Sequence, residues 1–103
     1  MRAGWRTLLG LNLSVVIPAL DAARTLGPCL SRLAGATEII VVDGGSQDAT
    51  REIAAAFGAR LLTAPRARGT QLRAGGQAAR GDWLLFLHAD TRLGDSWHDA
   101  VGR

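Results

Sequence analysis

Three aspartates directly follow short apolar runs in this sequence: Asp21, Asp43 and Asp90. If the runs are parallel strands, their carboxyl ends meet at one edge of a sheet, where open α/β proteins bind ligands. Acids gathered at one edge repel one another, so we expect a positive or proton-donating group between them: a divalent metal, a ring N–H or a sugar hydroxyl. The alternative, that each acid only caps a turn or helix, suits one such aspartate better than all three.

The segment Asp43–Thr50 reads D-G-G-S-Q-D-A-T and is the strongest local motif. Its two glycines permit a tight turn and a close approach of the backbone to a ligand. Ser46 and Asp48 can then cap the helix that follows. A capped turn between strand and helix, without any ligand, is the alternative interpretation.

Asp90 belongs to a second motif, Phe86–Thr91, which reads F-L-H-A-D-T. A carboxylate after a buried strand suits Mg²⁺, which takes one or two carboxylates and completes its shell with phosphate oxygens and water. His88 lies two residues earlier and leaves the strand on the same side. It could be a metal ligand, a hydrogen-bond donor to phosphate or a core histidine. His98 has no comparable context.

Four arginines fall within fifteen residues that contain no acid: Arg66, Arg68, Arg73 and Arg80. Arginine suits bidentate binding of phosphate. A solvated face is the other explanation for such a run. Arg66 and Arg68 lie in a predicted loop and are the best placed for phosphate.

Short apolar runs alternate with helical patterns and must position these residues. The runs are Leu13–Ile17, Ile39–Val42, Arg60–Thr63 and Trp83–Leu87. They are continuous rather than alternating, as in parallel strands covered on both faces. The order β-α-β-α-β-α-β predicts an α/β fold with right-handed crossovers and a Rossmann-like parallel sheet.

Apolar stripes and end signals predict the first two helices. The first has Pro28 in its first turn and a stripe of leucines four and three residues apart: Leu26, Leu30 and Leu33. The second buries Ile53 and Phe57 and ends at Gly58.

A third helix is predicted around Thr70–Arg80, ending at Gly81. Gly75 and Gly76 within it each cost about 1 kcal/mol relative to Ala. Close packing against a strand would explain them. A fourth helix is predicted to begin near Asp95.

The composition fits one globular unit with a small positive charge. The 103 residues are 48% hydrophobic and carry a net charge of +3, which does not by itself indicate a nucleic acid partner. Cys29 is the only cysteine, so an internal disulfide is excluded and a reducing compartment, the cytoplasm, is favoured.

The amino terminus has some features of a signal peptide, because Arg2 and Arg6 precede an apolar run from Leu8 to Leu20. The β-branched residues of Leu13–Ile17 instead favour a buried strand that stops at Pro18. We therefore expect residues 1–12 to be a poorly ordered lead-in.

Three segments together resemble the family 2 glycosyltransferases: Val15–Asp21, Ile40–Thr50 and Phe86–Thr91. These are GT-A-fold enzymes that use nucleotide-diphospho-sugar donors. In one branch of the family the metal motif reads F-L-H-A-D-T, and the motif G-x-x-Q precedes the third helix. Gly69-Thr70-Gln71 is similar to G-x-x-Q but has a different spacing. The resemblance covers about residues 13–97. It implies that residues 13–103 are a donor-binding domain, incomplete at its C-terminus.

The resemblance also implies roles for individual residues. Asp43 would accept a hydrogen bond from the base, typically from uracil N3–H. Asp90 would hold a Mg²⁺ or Mn²⁺ that bridges the diphosphate and neutralises charge on the leaving group. The residues assigned to the nucleotide are Pro18, Ala19, Asp21, Asp43, Gly44, Arg68 and His88.

The sequence departs from the family pattern at three positions. Asp21 stands where the family more often has Asn, His88 where many members have the first Asp of D-x-D, and Arg73 where the third helix commonly has Asn. These departures leave the donor base and the diphosphate contacts open. No general base is assignable, and we expect it beyond Arg103.

The sequence therefore predicts the donor-binding half of an inverting glycosyltransferase, with a UDP-sugar donor and an unknown acceptor as partners. The alternative is a non-catalytic nucleotide-sugar-binding or assembly module that lacks the acceptor half. Dinucleotide-binding and P-loop proteins are disfavoured because their glycine motifs are absent. We expect a cytoplasmic location or one at the inner face of the membrane, with a membrane-associated partner in the second case. An open sheet edge would promote self-association.

Overall fold

The computed structural model describes residues 12–33 and 36–90, in which strands and helices alternate. The elements are β1 (Leu13–Ala19), α1 (Ala23–Ser31), β2 (Glu38–Asp43), α2 (Thr50–Ala56), β3 (Arg60–Thr63), α3 (Arg68–Ala78) and β4 (Trp83–Phe86). The predicted α/β class is confirmed. Residues 1–11 of the predicted lead-in, and the helix predicted near Asp95, lie outside the described residues.

The four strands form one parallel sheet in the order β3-β2-β1-β4. Ala19 at the end of β1 pairs with Asp43 at the end of β2, and Asp43 pairs with Thr63 of β3. The strand order reverses between β1 and β4. In open α/β sheets, such a reversal opens a crevice at the carboxyl ends of the strands.

β1 is buried on both of its faces, as a central parallel strand should be. One face, which includes Val15 and Ile17, packs in a core with the α1 side chains Leu26 and Leu30. The opposite face contributes Val16 to a second core under α3. The predicted leucine stripe of the first helix is thereby confirmed, since Leu33 is also fully buried.

β1 continues to Ala19 and does not stop at Pro18. The Ala19 carbonyl faces β2, where it accepts the Gly44 N–H, and the Val16 carbonyl faces β4. The Pro18 nitrogen therefore faces the β4 side, where the ladder ends at Val16–Phe86. A missing N–H leaves no ladder bond unmade there, so the proline is tolerated.

Two predictions about the first two helices are wrong. Pro28 is the sixth residue of α1, not part of its first turn, because hydrogen bonds from a neighbouring loop fix the start of the helix at Ala23. Phe57 is 47% exposed, since its ring lies at the end of α2 against Gly27 of α1 rather than in the core. Gly58 ends α2 as predicted and has a φ of +78°.

The glycines of α3 have different environments. A Cβ on Gly75 would lie 2.3 Å from Val16 Cγ1 and 3.1 Å from Val42 Cγ2, so the predicted close packing is confirmed. A Cβ on Gly76 would meet nothing nearer than 3.8 Å. Only the first glycine is needed for the helix to approach the sheet.

At the amino-terminal edge of the sheet, Glu38 joins three elements. Its Oε1 accepts from Ser14 Oγ at 2.7 Å and from the Arg80 N–H at 2.9 Å, and its Oε2 accepts from Arg60 Nη1 at 2.7 Å. Burial alone raises the pKa of Glu38, but the hydrogen bonds from Arg80, Ser14 and Arg60, with the Arg60 charge, outweigh it and lower the pKa. The network fixes the end of α3 against β1, β2 and β3.

β4 is an edge strand of the described sheet and carries three exposed apolar side chains: Trp83, Leu84 and Phe86. Association through this edge stays a prediction. Within residues 12–33 and 36–90, no helix has the length and hydropathy that a membrane span requires.

Candidate functional site

A cleft of about 610 Å³ opens at the carboxyl edge of the sheet. Three segments line it: the loop after β1, the start of α3 with the loop before it, and the residues after β4. The cleft therefore lies at the reversal between β1 and β4, where the sheet topology places a ligand.

Six of the eight site residues predicted from the sequence line this cleft: Pro18, Ala19, Asp21, Arg68, His88 and Asp90. Arg66 lines it as well. Arg80 instead donates its N–H to Glu38 at the opposite edge. The two arginines expected to be best placed for phosphate are thus both at the cleft.

The structure does not bring Asp43 or Gly44 to the cleft wall. Asp43 is 0% exposed. Its Oδ2 accepts the N–H groups of Gly45 and Ser46 at 3.0 and 2.9 Å, and its Oδ1 accepts the Ser46 hydroxyl. These bonds shape the turn after β2, which is the capping role that the sequence left as the alternative for a single aspartate.

The Asp43–Thr50 segment also fixes the loop after β1. Ser46 Oγ accepts the Asp21 N–H at 2.8 Å and Thr50 Oγ1 accepts the Ala22 N–H at 2.8 Å. Asp48 Oδ2 accepts the Ala23 N–H at 3.1 Å. Helix N-termini leave such N–H groups without partners inside the helix, so the segment caps α1 from outside.

These contacts correct the predicted capping of α2. The Ser46 side chain hydrogen-bonds to Asp21 and Asp43 and makes no capping hydrogen bond to the second helix. Asp48 does accept the Thr50 N–H at 2.9 Å. The hydrogen bond from the Thr50 side chain is the main cause that lowers the pKa of Asp48.

Asp21 connects the two loops and faces the cleft. Its φ of +48° lies in the left-handed region, which aspartate and asparagine tolerate better than most residues. Its Oδ1 accepts the Gln47 N–H at 2.7 Å, and the residue is exposed in the cleft. The conformation explains why an Asp can stand where an Asn is more usual.

His88 and Asp90 lie exposed beyond β4, so the core-histidine interpretation is excluded. Within the described residues, no hydrogen bond reaches the Asp90 carboxylate, and no group of three or more His, Cys, Asp or Glu could hold a metal. One free carboxylate fits an ion that takes its other ligands from phosphate and water. Asp90 is chemically suited to such a site.

Cys29 lies beneath this segment, and its Sγ donates to the His88 carbonyl at 3.8 Å. Burial, with the nearby Asp90 charge, raises the pKa of the thiol to about 11. Because the thiolate is the reactive form, Cys29 is a packing residue.

Gln71 has a structural role that was not predicted from the motif in which it lies. The side chain is 5% exposed, and its Nε2 donates to the Ala19 and Val42 carbonyls at 3.1 and 2.9 Å. It joins the ends of β1 and β2. Its place four residues before Gly75, on the helix face that packs on the sheet, is the signal that could have identified it.

Comparisons with known proteins agree with this geometry. Residues 14–99 match the sequence profile of Glycosyl transferase family 2. A PGL/p-HBAD biosynthesis glycosyltransferase of Mycobacterium bovis is 38% identical over 91 residues, which cover 78% of this chain and 36% of that protein.

Two solved structures share the fold. Glucosyl-3-phosphoglycerate synthase from Mycobacterium tuberculosis, in complex with Mn²⁺, UDP and glucosyl-3-phosphoglycerate, has a TM-score of 0.73 at 25% identity, covering 86% of this chain and 37% of its own. Mannosyl-3-phosphoglycerate synthase from Rubrobacter xylanophilus has a TM-score of 0.74 at 29% identity, covering 89% and 34%. The chain spans about a third of each relative. It belongs to glycosyl transferase family 2.

Proposed function

We propose that this chain carries the donor-binding part of an inverting glycosyltransferase, and that it binds a UDP-sugar with a divalent metal ion. The observation that supports this most is the cleft itself. It lies at the reversal of a family 2 sheet and combines two arginines with the Asp90 carboxylate, to which no described residue donates a hydrogen bond. The Mycobacterium tuberculosis relative solved with Mn²⁺ and UDP supports the same ligand class.

The charges along the cleft suit a nucleoside diphosphate. Arg66 and Arg68 provide cationic groups that match phosphate oxygens in shape and charge. Asp90 would hold Mg²⁺ or Mn²⁺ and His88 would donate to a phosphate oxygen. When bound, the ion would withdraw charge from the leaving diphosphate.

The end of β1 and the loop after it would receive the nucleoside. Pro18, Ala19 and Asp21 line the cleft there, and the hydrogen bonds from the Asp43–Thr50 segment hold the loop in place before any ligand arrives. A loop that is already ordered loses less conformational entropy when the ligand binds. The contact between Asp43 and the base stays a prediction, because the carboxylate is fully buried.

Transfer of the sugar is a separate proposal from donor binding. Among the described residues, the cleft carboxylates are Asp21 and Asp90. Asp21 holds the loop through Gln47 and Asp90 would bind the metal, so neither is proposed as the general base. A nucleotide-sugar-binding module without transferase activity is therefore the second candidate function. Transfer from a UDP-sugar to any acceptor by the isolated chain would exclude that alternative.

Calorimetry tests the donor-binding proposal. UDP should bind in the presence of Mn²⁺ and at least tenfold more weakly with EDTA, about 1.4 kcal/mol. Asp90→Asn should reduce the metal-dependent part. Asp82→Asn, at the amino end of β4 and outside the cleft, is the matched control and should bind normally. Absence of binding by every nucleoside diphosphate, or binding indifferent to metal, would refute the proposal.

A further inference from the structure

The side-chain amide of Gln71, a residue that lines the cleft, is held in one orientation. Both amide protons can be donated, to the Ala19 and Val42 carbonyls. Rotating the amide by half a turn would set its oxygen against those two carbonyls, so the observed orientation is the favourable one. The Oε1 atom is left as the acceptor.

This oxygen is not fully buried. No buried side-chain oxygen or nitrogen in the described part of the chain lacks a hydrogen-bond partner, and no partner of Oε1 is found there. Gln71 is 95% buried by its 5% exposure, yet it lines the cleft. Oε1 is therefore an available acceptor on a nearly buried residue of the cleft lining.

The neighbouring Gly44 keeps this arrangement possible. A Cβ on Gly44 would lie 3.1 Å from Nε2 and 3.2 Å from Oε1 of Gln71. The amide occupies the space that any larger residue would need. Asp43, the acceptor predicted from the sequence, already accepts hydrogen bonds at both oxygens within its own turn.

We propose that Gln71 Oε1 determines nucleoside specificity by accepting a hydrogen bond from the donor molecule, either from a base imino N–H or from a ribose hydroxyl. The inference rests on the proposed function, because it concerns the same cleft. A pyrimidine without a proton on N3 would face Oε1 with a second acceptor. Loss of one neutral hydrogen bond should weaken binding roughly fivefold to tenfold.

The test measures the affinity of UDP, CDP, 2′-deoxy-UDP and 3′-deoxy-UDP with Mn²⁺, for the unaltered chain and for Gln71→Met. The unaltered chain should prefer UDP over CDP if Oε1 contacts the base, or over one deoxy analogue if it contacts the ribose. Gln71→Met should abolish that same preference. Gln77→Met, an exposed position of the same helix, is the matched control and should keep it.

The outcomes separate this inference from the proposed function. If no nucleoside diphosphate binds, the proposed function fails. If UDP binds with metal but the preference is absent, or survives unchanged in Gln71→Met, only the role of Gln71 is refuted. Should Gln71→Met fail to fold, Gly44→Ala displaces the amide without removing it and should reduce the preference. An undiminished preference in that variant would refute the role.

Discussion

Replacement of Gly75 by alanine tests how α3 is seated on the sheet. The added Cβ would lie 2.3 Å from Val16 Cγ1, below any normal contact, and Val16 is itself fully buried. Overpacking of this kind costs about 1–3 kcal/mol. The change from Gly to Ala within a helix returns about 0.8–1 kcal/mol. Gly75→Ala should therefore destabilise the protein by up to about 2 kcal/mol.

Gly76→Ala is the matched control, because its Cβ would meet Phe86 no nearer than 3.8 Å. It gains the same helical propensity without the clash and should stabilise by up to about 1 kcal/mol. Urea unfolding followed by circular dichroism measures both midpoints at an unchanged slope. A Gly75→Ala variant as stable as Gly76→Ala would show that the helix does not approach β1 as described. The displaced helix should also move Gln71, so UDP affinity should fall in Gly75→Ala alone.

Three further predictions follow from single contacts. Because the folded-state pKa of Glu38 is lowered, its stabilising effect is present above the ordinary value near 4.5 and is lost as pH falls through the folded pKa. The urea midpoint should therefore fall with acid in the unaltered chain, and it should fall less steeply in Glu38→Gln. An unchanged pH dependence in Glu38→Gln would contradict this. The pKa of the Cys29 thiol is raised to about 11, and the thiolate is the reactive form. At pH 7 the rate of its reaction with a thiol reagent should therefore equal the rate at which the fold opens. Immediate reaction would show that the thiol is at the surface. Arg68→Ala should weaken Mn²⁺-dependent UDP binding roughly tenfold, because charge-assisted hydrogen bonds to phosphate are lost. Arg73 lies outside the cleft, so Arg73→Ala should bind UDP normally. Equal losses in the two variants would indicate a general effect of charge.

The sequence predicted the positions of the strands closely, although β3 and β4, unlike β1 and β2, contain no buried residue. The β3 run Arg60–Thr63 has the predicted bounds, and the other strands differ from the prediction by two residues at most. Gly75 was correctly expected to lie against a strand. Apolar runs and helix stripes indicate the type and order of the elements, so the α/β class could be inferred from them.

The missed features are contacts between residues far apart in sequence. Ser46, Asp48 and Thr50 cap α1 across a separation of 25 to 28 residues, and local capping rules had assigned the first two to the next helix. Gln71 reaches 52 residues back to Ala19. Hydrogen bonds of this kind depend on the register of the sheet, which no local pattern contains.

Asp43 is a different case, because the groups that occupy its carboxylate lie only two and three residues further along the chain. It ends β2, and a residue at the end of a strand can either shape the turn that follows or contact a ligand. Only the geometry showed that Gly45 and Ser46 use the carboxylate. Asp90, to which no described residue donates a hydrogen bond, lines the cleft.

The most direct test of the account locates the metal and the nucleotide together. Mn²⁺ added to the isotope-labelled chain with UDP should broaden the amide signals of residues 88–90 and of Gln71 first. Signals of Glu38 and Arg60 should persist, since the seven residues of β1 separate the two edges by roughly 20 Å. Broadening centred on the amino-terminal edge, or broadening that is the same without UDP, would contradict a shared metal and nucleotide site in the cleft.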